Sequence, residues 1–232
     1  MLTKTADVLA AALKARIEKG EFAQGRLPAE RALSEHYATT RITLREALGL
    51  LESQGVIFRE LRRGWFVAPP RLVYNPAHHS HFHAMASAQG RQARTEVIDA
   101  QRQPLQDDIA RHLRLNEGDE VYRIRRLRRI DGRAVLYVEH YLNPAFFPGL
   151  LEADLTRSLT ELYEQRYGIR YGSARFTLLP GPLPSHVAPT LNVASGTPGL
   201  LITRINRDRR QRVIDCDCEY WRYDALSVEI DL

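Results

Sequence analysis

An internal repeat is the sequence feature that most limits how this chain can fold. The segments DIARHLRLNEGDEVYRIRRLRR and HVAPTLNVASGTPGLLITRINR align without gaps at an offset of 78 residues, which pairs Arg126 with Arg204. Each copy has the pattern of a short helix, a glycine turn and a long strand, and each continues into a second β-rich run, AVLYVEHYL or VIDCDCEYW. A helical pattern, SLTELYEQRYG, lies between the copies. The second half is therefore predicted to be α+β, with an antiparallel sheet and helices.

The composition limits the number of domains and the class of protein. With 232 residues, 44% of them hydrophobic and 26% charged, the chain has room for two small domains, each with its own core. The first segment, MLTKTADVLAAALKARIEKG, acquires charges at helical spacing after a few apolar residues, unlike a signal peptide or a membrane span. We therefore expect a cytoplasmic protein with no membrane partner. A sequence pI near 9.4 favours polyanionic partners.

The two cysteines do not favour a disulfide or a structural zinc site. Cys216 and Cys218 are one residue apart, so in a strand they share a face and cannot easily form a disulfide. A single C-x-C also lacks the second ligand pair of a structural zinc site, although metal binding there stays open as the minor alternative to burial in a strand. No cofactor is expected.

The first seventy residues predict three helices followed by a hairpin. The first helix spans about Thr3 to Lys19, the second has Pro28 at its first position, and the third is capped by the hydroxyl of Thr40 and stopped at Gly55. The segment VIFRELRRGWFVA then alternates as two β-rich runs around a charged turn. This order is that of a winged helix-turn-helix.

The third helix carries a distinctive polar face. Arg41 and Arg45 are one helical turn apart beside the apolar stripe, and Thr40 and Thr43 accompany them near the helix amino terminus. Arginine can donate two hydrogen bonds to O6 and N7 of guanine, and threonine hydroxyls can reach phosphate oxygens. We therefore expect this face to enter a major groove of DNA.

The predicted wing is also basic. Arg62 and Arg63 project from its tip, where they can meet the sugar-phosphate backbone or a minor groove. The alternative for every one of these arginines is an ordinary solvated surface charge. The combination of cap, spacing, wing and element order favours the DNA interpretation.

The segment LPAERALSEHYATTRITLREALGLLESQGVIFRELRRGWFVA resembles the DNA-binding domain of GntR transcription regulators. That family's pattern has L-P-S/A-E-R, S/T-R-x-T-x-R and a wing of basic residue, glycine, aromatic and valine. The resemblance implies that Arg31 and Thr43 contact phosphates. It also implies that Arg41 and Arg45 contact bases and that Arg63 and Gly64 enter the minor groove. Trp65 departs from the pattern, because the family usually has threonine or another small residue there.

The domains are expected to be residues 1–70 and 89–232, joined by a linker or docking segment at 71–88. This stretch is interrupted by Pro69, Pro70 and Pro76 and shows no sustained period before Gly90. It also contains a cluster of histidines, which fits a metal site, a pH-responsive contact or only a polar linker: His78, His79, His81 and His83.

The second half contains two sets of polar side chains that alternate along strands. One set is basic: Arg126 and Arg128 share a face of the first long strand. The other set is acidic and aromatic and lies on two strands, with Glu139 and Tyr141 on one face of the first and Asp215, Asp217, Glu219 and Trp221 on one face of the second. If these faces meet in one cleft, the arginines hold an anionic group and the carboxylates meet an amine or hydroxyls. Outward faces of an amphipathic sheet are the alternative.

This half resembles the UTRA effector domain of the HutC-like branch of the GntR family, whose fold is chorismate-lyase-like. The resemblance spans roughly residues 89–232 and implies phosphosugar, carboxylate or phosphonate ligands. It implies that Arg126 and Arg128 clamp an anion with Ser158 and Thr160 as hydroxyl partners, and that Glu139 and Trp221 contact the rest of the ligand. The stretch YNPAHHSHFHAMASAQGR further resembles the group associated with phosphonate utilisation, for which 2-aminoethylphosphonate would be the inducer.

These patterns together predict an allosteric transcription regulator, a homodimeric repressor that binds double-stranded operator DNA and responds to a small-molecule effector. Two other classes stay open. A lyase-like enzyme fused to a DNA-binding module is one, because chorismate lyase shares the effector-domain fold; no nucleophile and base at suitable spacing supports it. A metal sensor using the histidines at 78–83 is the other.

Overall fold

The structure, a computed structural model, describes residues 2–22, 25–77, 81–105 and 107–230. The chain divides after Arg71 into two compact units. Within the described ranges, no helix combines the length and the apolar character needed to cross a membrane.

The first unit has three helices and an antiparallel hairpin, as the sequence predicts: α1 (Leu2–Glu18), α2 (Glu30–His36), α3 (Arg41–Ser53), β1 (Ile57–Glu60) and β2 (Gly64–Val67). Its core is formed by the apolar stripes of the helices and the inner face of the hairpin, including Leu13, Leu33, Leu44, Leu48 and Ile57. Burying these side chains is what holds three short helices together, because helices of this length are marginal alone.

Local sequence sets the ends of α3. The hydroxyl of Thr40 accepts a hydrogen bond from the backbone N–H of Thr43 at 3.2 Å, so the predicted cap is confirmed. At the other end Gly55 has a φ of 71°, a left-handed conformation that glycine adopts without a Cβ clash. α3 is thereby held at a fixed start and stop relative to the hairpin that follows it.

The second unit is built on a six-stranded antiparallel sheet of order β4-β5-β6-β9-β8-β7. Its strands are β4 (Ala93–Pro104), β5 (Glu120–Ile130), β6 (Arg133–Leu142), β7 (Tyr171–Pro182), β8 (Pro198–Asp208) and β9 (Val213–Arg222). A separate parallel pair is formed by β3 (Leu72–Tyr74) and β10 (Leu226–Val228). The helices of this unit are α4 (Phe82–Ala88), α5 (Asp107–Leu113) and α6 (Leu159–Tyr167). The predicted α+β class is confirmed.

The repeat appears as a doubled sheet with β6 and β9 at its centre. Ala100 pairs with Ile124, and Leu178 pairs with Ile202, so the offset of 78 residues also relates the two edge strands, β4 and β7. The sequence pattern missed these edge strands. The second copy also lacks the predicted helix: residues 185–190 form hydrogen-bonded turns, and Pro189 has no N–H to continue a helix.

The two faces of the sheet are covered by different elements. One face carries α4, the pair β3 and β10, and α6 over two apolar clusters. The opposite face carries α5 and the turn segment that precedes β8. A strand residue therefore meets quite different neighbours depending on whether its position is odd or even.

The segment 71–88 is not a simple linker. β3 pairs with β10, and Phe82, Met85 and Ala86 of α4 are buried against the sheet. The linker prediction is wrong for these elements, because proline-rich spacing hid a strand of three residues and a helix of seven. His78 and His79 lie outside the described residues.

Candidate functional site

The exposed face of α3 carries the arginines that the sequence singled out. Arg41 and Arg45 are exposed, and Ile42 between them leaves 73% of its surface in solvent. Nε of Arg45 donates to Oε2 of Glu30 at 2.9 Å, although the Arg45 side chain stays 66% exposed. Two guanidinium groups and one aliphatic side chain thus stand together on a surface that nothing within the first unit covers among its described residues.

The threonines of α3 differ from one another. Thr40 is exposed, whereas Thr43 is only 5% exposed and its Oγ1 lies 3.0 Å from Oγ1 of Thr40. The expected phosphate contact by Thr43 is therefore not supported by its position. The cause is its place three residues after the cap, where the helix turns this side chain toward the apolar stripe. Arg31 of α2 is exposed and paired with Glu35, with Nε and Oε1 2.9 Å apart.

The tip of the hairpin is exposed and basic. Arg62 has a φ of 62° and Gly64 a φ of 98°, so the turn uses the left-handed region at two positions. Arg63 pairs with Glu60, and its guanidinium lies 5.3 Å from the ring centre of Phe66. The wing therefore presents positive charge on a short, tightly turned backbone.

The second unit encloses a polar cavity between the sheet and the helices α4 and α6, with an empty volume of about 980 Å³ that includes its opening to solvent. Six of the predicted effector residues line it: Arg126, Arg128, Ser158, Thr160, Asp217 and Trp221. Phe82 and His83 of α4 form the opposite wall. The cavity is thus made from both copies of the repeat and from the segment 71–88.

Arg126 is buried in the cavity wall, only 1% exposed. Nη1 donates to the backbone carbonyls of Leu155 at 3.2 Å and Arg157 at 3.0 Å, and Nε donates to Nε2 of His140 at 3.0 Å. These acceptors are all neutral, and burial lowers the pKa of Arg126 to about 10. Arg126 supports the loop that leads into α6 and contributes a positive charge that no carboxylate contacts among the described residues.

Arg128 is more available than Arg126. It is 8% exposed, its guanidinium lies 4.7 Å from the ring centre of Phe82, and Nη1 donates to Oγ1 of Thr95 at 3.2 Å. Burial lowers its pKa, and the neighbouring charge of Arg126 lowers it further. Within the described part of the chain, Arg128 donates one hydrogen bond, to Thr95, so most of its donors remain for a ligand.

Arg204 has the opposite character, since it is paired. Its Nε and Nη2 donate to Oδ2 of Asp217 at 3.0 and 2.5 Å, and Oδ1 of Asp217 lies 2.5 Å from Nδ1 of His140. Burial raises the pKa of Asp217, but His140 and Arg204 outweigh burial and hold that pKa below its ordinary value. Burial lowers the pKa of His140 to about 3, so the imidazole is neutral and Nε2 accepts from Arg126.

The rest of the cavity supplies one more carboxylate and two hydroxyls. Glu219 accepts a hydrogen bond from Nε1 of Trp221 at 2.8 Å, and burial raises the pKa of Glu219. Ser158 caps α6, with its Oγ accepting from the N–H of Glu161 at 3.3 Å, and Thr160 follows in the first turn. Three guanidiniums therefore face two carboxylates, which leaves the cavity net positive.

Glu139 and Tyr141 do not line this cavity, so that part of the prediction is wrong. Arg126 pairs with Val138 and Arg125 pairs with Glu139, which places Glu139 on the opposite face, where it accepts from Arg125 at 3.0 Å and Tyr141 at 3.0 Å. The cause is a β-bulge beside Arg128. A regular hairpin through Asp131 and Gly132 would place odd positions of β6 beside Arg126, and one extra residue reverses that parity.

Three residues that line the cavity were not among the predicted effector residues: Arg204, His140 and Asn206. Arg204 was indicated by the repeat, because it is the partner of Arg126 at the offset of 78 residues. His140 and Asn206 carried no comparable signal, since their facing depends on the bulge and on pairing across the centre of the sheet. His83 lines the cavity too, with Nε2 2.9 Å from Oγ1 of Thr95.

His81 and the two cysteines were the remaining candidates for a metal site. Nε2 of His81 lies 2.8 Å from Oε1 of Glu161. Among the residues with described positions, no group of three or more His, Cys, Asp or Glu side chains is arranged to hold a metal. Cys216 is buried and Cys218 half-buried, both as free thiols.

Each of the two units matches a known protein family. Residues 5–67 match the model of the gntR family of bacterial regulatory proteins, and residues 88–227 match the UTRA domain. The chain is 32% identical to the HTH-type transcriptional regulator YihL of Escherichia coli over 209 residues, which cover 90% of this chain and 89% of that protein. It is 25% identical over 193 residues to the HTH-type transcriptional repressor NagR of Bacillus subtilis, covering 83% of this chain and 79% of that protein.

A solved structure has the same fold. PhnF from Mycobacterium smegmatis matches with a TM-score of 0.67 at 24% identity, covering 94% of this chain and 98% of that one. The fold of this chain is thus that of a solved structure. The chain belongs to the GntR family of bacterial transcription regulators and carries a UTRA domain.

Proposed function

We propose that this regulator is a homodimeric repressor that binds an operator through α3 and the hairpin tip, and releases it when a small anionic or zwitterionic metabolite occupies the cavity of the second unit. Residues 1–70 would serve DNA binding, and residues 89–232 together with the cavity wall from segment 71–88 would serve effector binding. A two-fold symmetric dimer allows two copies of α3 to contact two half-sites.

The DNA part of the proposal is supported by exposure and chemistry together. Arg41 and Arg45 are exposed on one helix face, and neither is enclosed by the core of the first unit. Arginine at such a face can read guanine in the major groove. Exposed residues of the same unit would contact phosphates and the minor groove, and these are Arg31, Thr40, Arg62, Arg63 and Gly64.

The effector part is supported most by one observation: Arg126 and Arg128 are buried at one cavity wall, and within the described residues neither contacts a carboxylate. A buried cation without a counter-ion is unfavourable unless a ligand supplies one. Phosphonate, phosphate and carboxylate groups can supply that charge and accept the free donors of Arg128.

The carboxylates that line the cavity favour a ligand with a second functional group. Asp217 is occupied by Arg204 and His140. Within the described residues, Glu219 accepts a hydrogen bond from Trp221 and lies farther from Arg204, at 3.9 Å. An amino or hydroxyl group is the natural partner for that carboxylate. A phosphonate such as 2-aminoethylphosphonate, or a phosphosugar, has both groups.

The proposed role as a repressor is supported by the name of one relative. NagR of Bacillus subtilis is named a repressor. Release of a repressor by its ligand requires that the ligand bind the DNA-free arrangement more tightly, and a few kcal/mol of difference is enough.

The test uses two steps on the full chain. Selection from a random duplex library first yields a DNA that the protein binds specifically. Inorganic phosphate, 2-aminoethylphosphonate, glucose 6-phosphate and an uncharged sugar are then tested for a rise in Tm and for loss of binding to that DNA. The proposal predicts that an anionic compound does both. Tight DNA binding that no anionic compound alters, together with a Tm shift by the uncharged sugar, contradicts the effector assignment.

A further inference from the structure

A single carboxylate joins three elements of the first unit. Oε1 of Glu30, the first residue of α2, accepts from Nε1 of Trp65 at 3.1 Å, and Oε2 accepts from Nε of Arg45 at 2.9 Å. Trp65 belongs to β2 and Arg45 to α3. Each oxygen of the carboxylate therefore has its own donor, and the hairpin is connected to the exposed helix face through α2.

Burial increases steadily along this chain of contacts. The Arg45 side chain is 66% exposed, the Glu30 side chain is 22% exposed, and Trp65 is 6% exposed and packed in the core of the unit. Although burial by itself raises the pKa of Glu30, hydrogen bonds from Arg45 and Trp65 outweigh it and hold that pKa below its ordinary value. The inner end is thus immobilised by packing, while the outer end reaches solvent as an ionised pair.

The chemistry of the guanidinium makes this arrangement useful. Glu30 takes Nε of Arg45, which leaves Nη1 and Nη2 as the edge with donors for O6 and N7 of guanine. A long, exposed arginine otherwise samples many rotamers, and ordering it on DNA lowers affinity. An arginine already fixed at Nε loses less freedom when it binds. Trp65 stands at the position where the sequence departs from the small residue of the family pattern.

We propose that Trp65 is a positioning residue that, acting through Glu30, fixes the guanidinium of Arg45 for recognition of one base pair. The inference rests on the proposed function, in which Arg45 contacts a base. It goes beyond that function because it assigns part of the sequence specificity to a buried side chain of the hairpin, which has no access to a base edge itself.

The proposal predicts an effect confined to one position of the DNA site. Loss of the indole N–H leaves Glu30 with one donor fewer and Arg45 less restrained, so the preference at the base pair read by Arg45 declines. A tryptophan that only filled the core would instead weaken binding to every sequence by the same factor, because less folded protein or a looser unit affects all positions alike.

The experiment is selection from a random duplex library with the full chain, followed by sequencing and measurement of Kd on the enriched DNA and on single-base variants. Wild type, Arg45→Ala, Trp65→Phe and the double variant are compared. Trp65→Phe retains an aromatic ring and removes the N–H. Glu30→Ala is the second variant, because Glu30 is partly exposed and its loss leaves the core unchanged. Tyr37→Phe, which removes a hydroxyl bonded to Arg16 in the same unit, is the matched control.

We expect Arg45→Ala to abolish the preference at one base pair of each half-site, and Trp65→Phe and Glu30→Ala to reduce it at that same base pair by about threefold to tenfold. In the Arg45→Ala background the further change at Trp65 should alter Kd by less than about twofold. Tyr37→Phe should leave the pattern of preferences intact. A Trp65→Phe protein that keeps the preference, or that loses affinity equally at all positions and additively with Arg45→Ala, overturns the positioning role. If Arg45→Ala itself loses no preference, the base-reading role of Arg45 in the proposed function fails first.

Discussion

The arginines of α3 and the arginines of the sheet cavity have the same side chain in opposite environments. Arg41 and Arg45 are exposed to water, whereas Arg126 and Arg128 are buried in the cavity wall. An exposed guanidinium is hydrated at no structural penalty and can exchange water for a DNA base or phosphate. A buried one already lacks its hydration, so it gains most from a bound anion. Burial, and not residue type, therefore separates the arginines that we propose to contact DNA from those that we propose to bind the effector.

The largest effect is expected at α3. Arg41→Ala should weaken specific DNA binding by about 2–6 kcal/mol over two half-sites, because each bidentate contact to guanine discriminates by about 1–3 kcal/mol. It should leave Tm unchanged, since Arg41 is exposed and belongs to no buried cluster. A gel-shift titration at fixed salt on selected DNA, with Tm as the folding control, measures both. Wild-type affinity in this variant would remove Arg41 from the base-reading role.

A smaller effect, on binding of the effector, is expected from a substitution in the cavity. Arg128→Met should weaken binding of the anionic effector by about tenfold to a hundredfold, because a hydrogen-bonded charge contact of about 1.5–3 kcal/mol is lost. Without ligand its Tm should equal or exceed that of the wild type, since replacing a buried unpaired charge with an apolar side chain is neutral or stabilising. Calorimetry and thermal unfolding separate the two results. A large loss of Tm without ligand would show that Arg128 is primarily structural.

The buried imidazole gives a third contrast, this time with pH. The pKa of His140 is lowered from its ordinary 6.5 to about 3 by burial. The unfolded chain therefore binds a proton on His140 between pH 6.5 and 3 that the folded chain does not, so stability falls as pH falls through that window. His140 should contribute a loss on the order of 2 kcal/mol between pH 7 and pH 5.

Denaturant unfolding of wild type and His140→Asn at both pH values tests this contribution. The variant should be less stable than wild type at pH 7 and should show a shallower decline toward pH 5. Arg41→Ala, whose site contains no buried titrating group, serves as the control and should decline in parallel with wild type. An identical decline in His140→Asn would assign the acid sensitivity to other groups.

The smallest effect is expected on the opposite face of the sheet. Glu139→Gln should change effector affinity by less than about twofold, because Glu139 contacts Arg125, Tyr137 and Tyr141 and does not line the cavity. Glu219→Gln, made at a cavity carboxylate, is the matched comparison and should weaken a ligand that carries an amino group. Equal losses in both variants would contradict the face assignment.

The sequence predicted the elements that depend on local rules. The cap at Thr40, the stop at Gly55 and the basic hairpin tip depend on side chains within a few residues of one another, and the structure has all of them. The repeat also predicted the antiparallel sheet, because its two copies bring the same alternation twice. Local chemistry and periodicity are visible in a sequence without knowledge of the fold.

The failures depend on contacts that no local rule encodes. The bulge beside Arg128 places Glu139 and Tyr141 off the cavity face, although the two residues share a face of β6 as the alternation predicts. The edge strands β4 and β7 were missed because many of their side chains are exposed on either face, which hides the period of two. Thr43 was expected at the surface, but its hydroxyl is engaged by Thr40. Facing and register are tertiary properties, and they decided which residues reached the site.

The central claim is that the buried arginines of the cavity sense an anion and thereby control DNA binding by the exposed arginines of α3. The most direct measurement is fluorescence anisotropy of selected duplex DNA bound to wild type and to Arg128→Met, titrated with whichever of 2-aminoethylphosphonate, inorganic phosphate and glucose 6-phosphate raises the wild-type Tm. The account predicts that this compound releases DNA from the wild type, and that Arg128→Met binds the same DNA with unchanged affinity but retains it throughout the titration. Release of DNA from Arg128→Met at the same ligand concentrations would contradict the account.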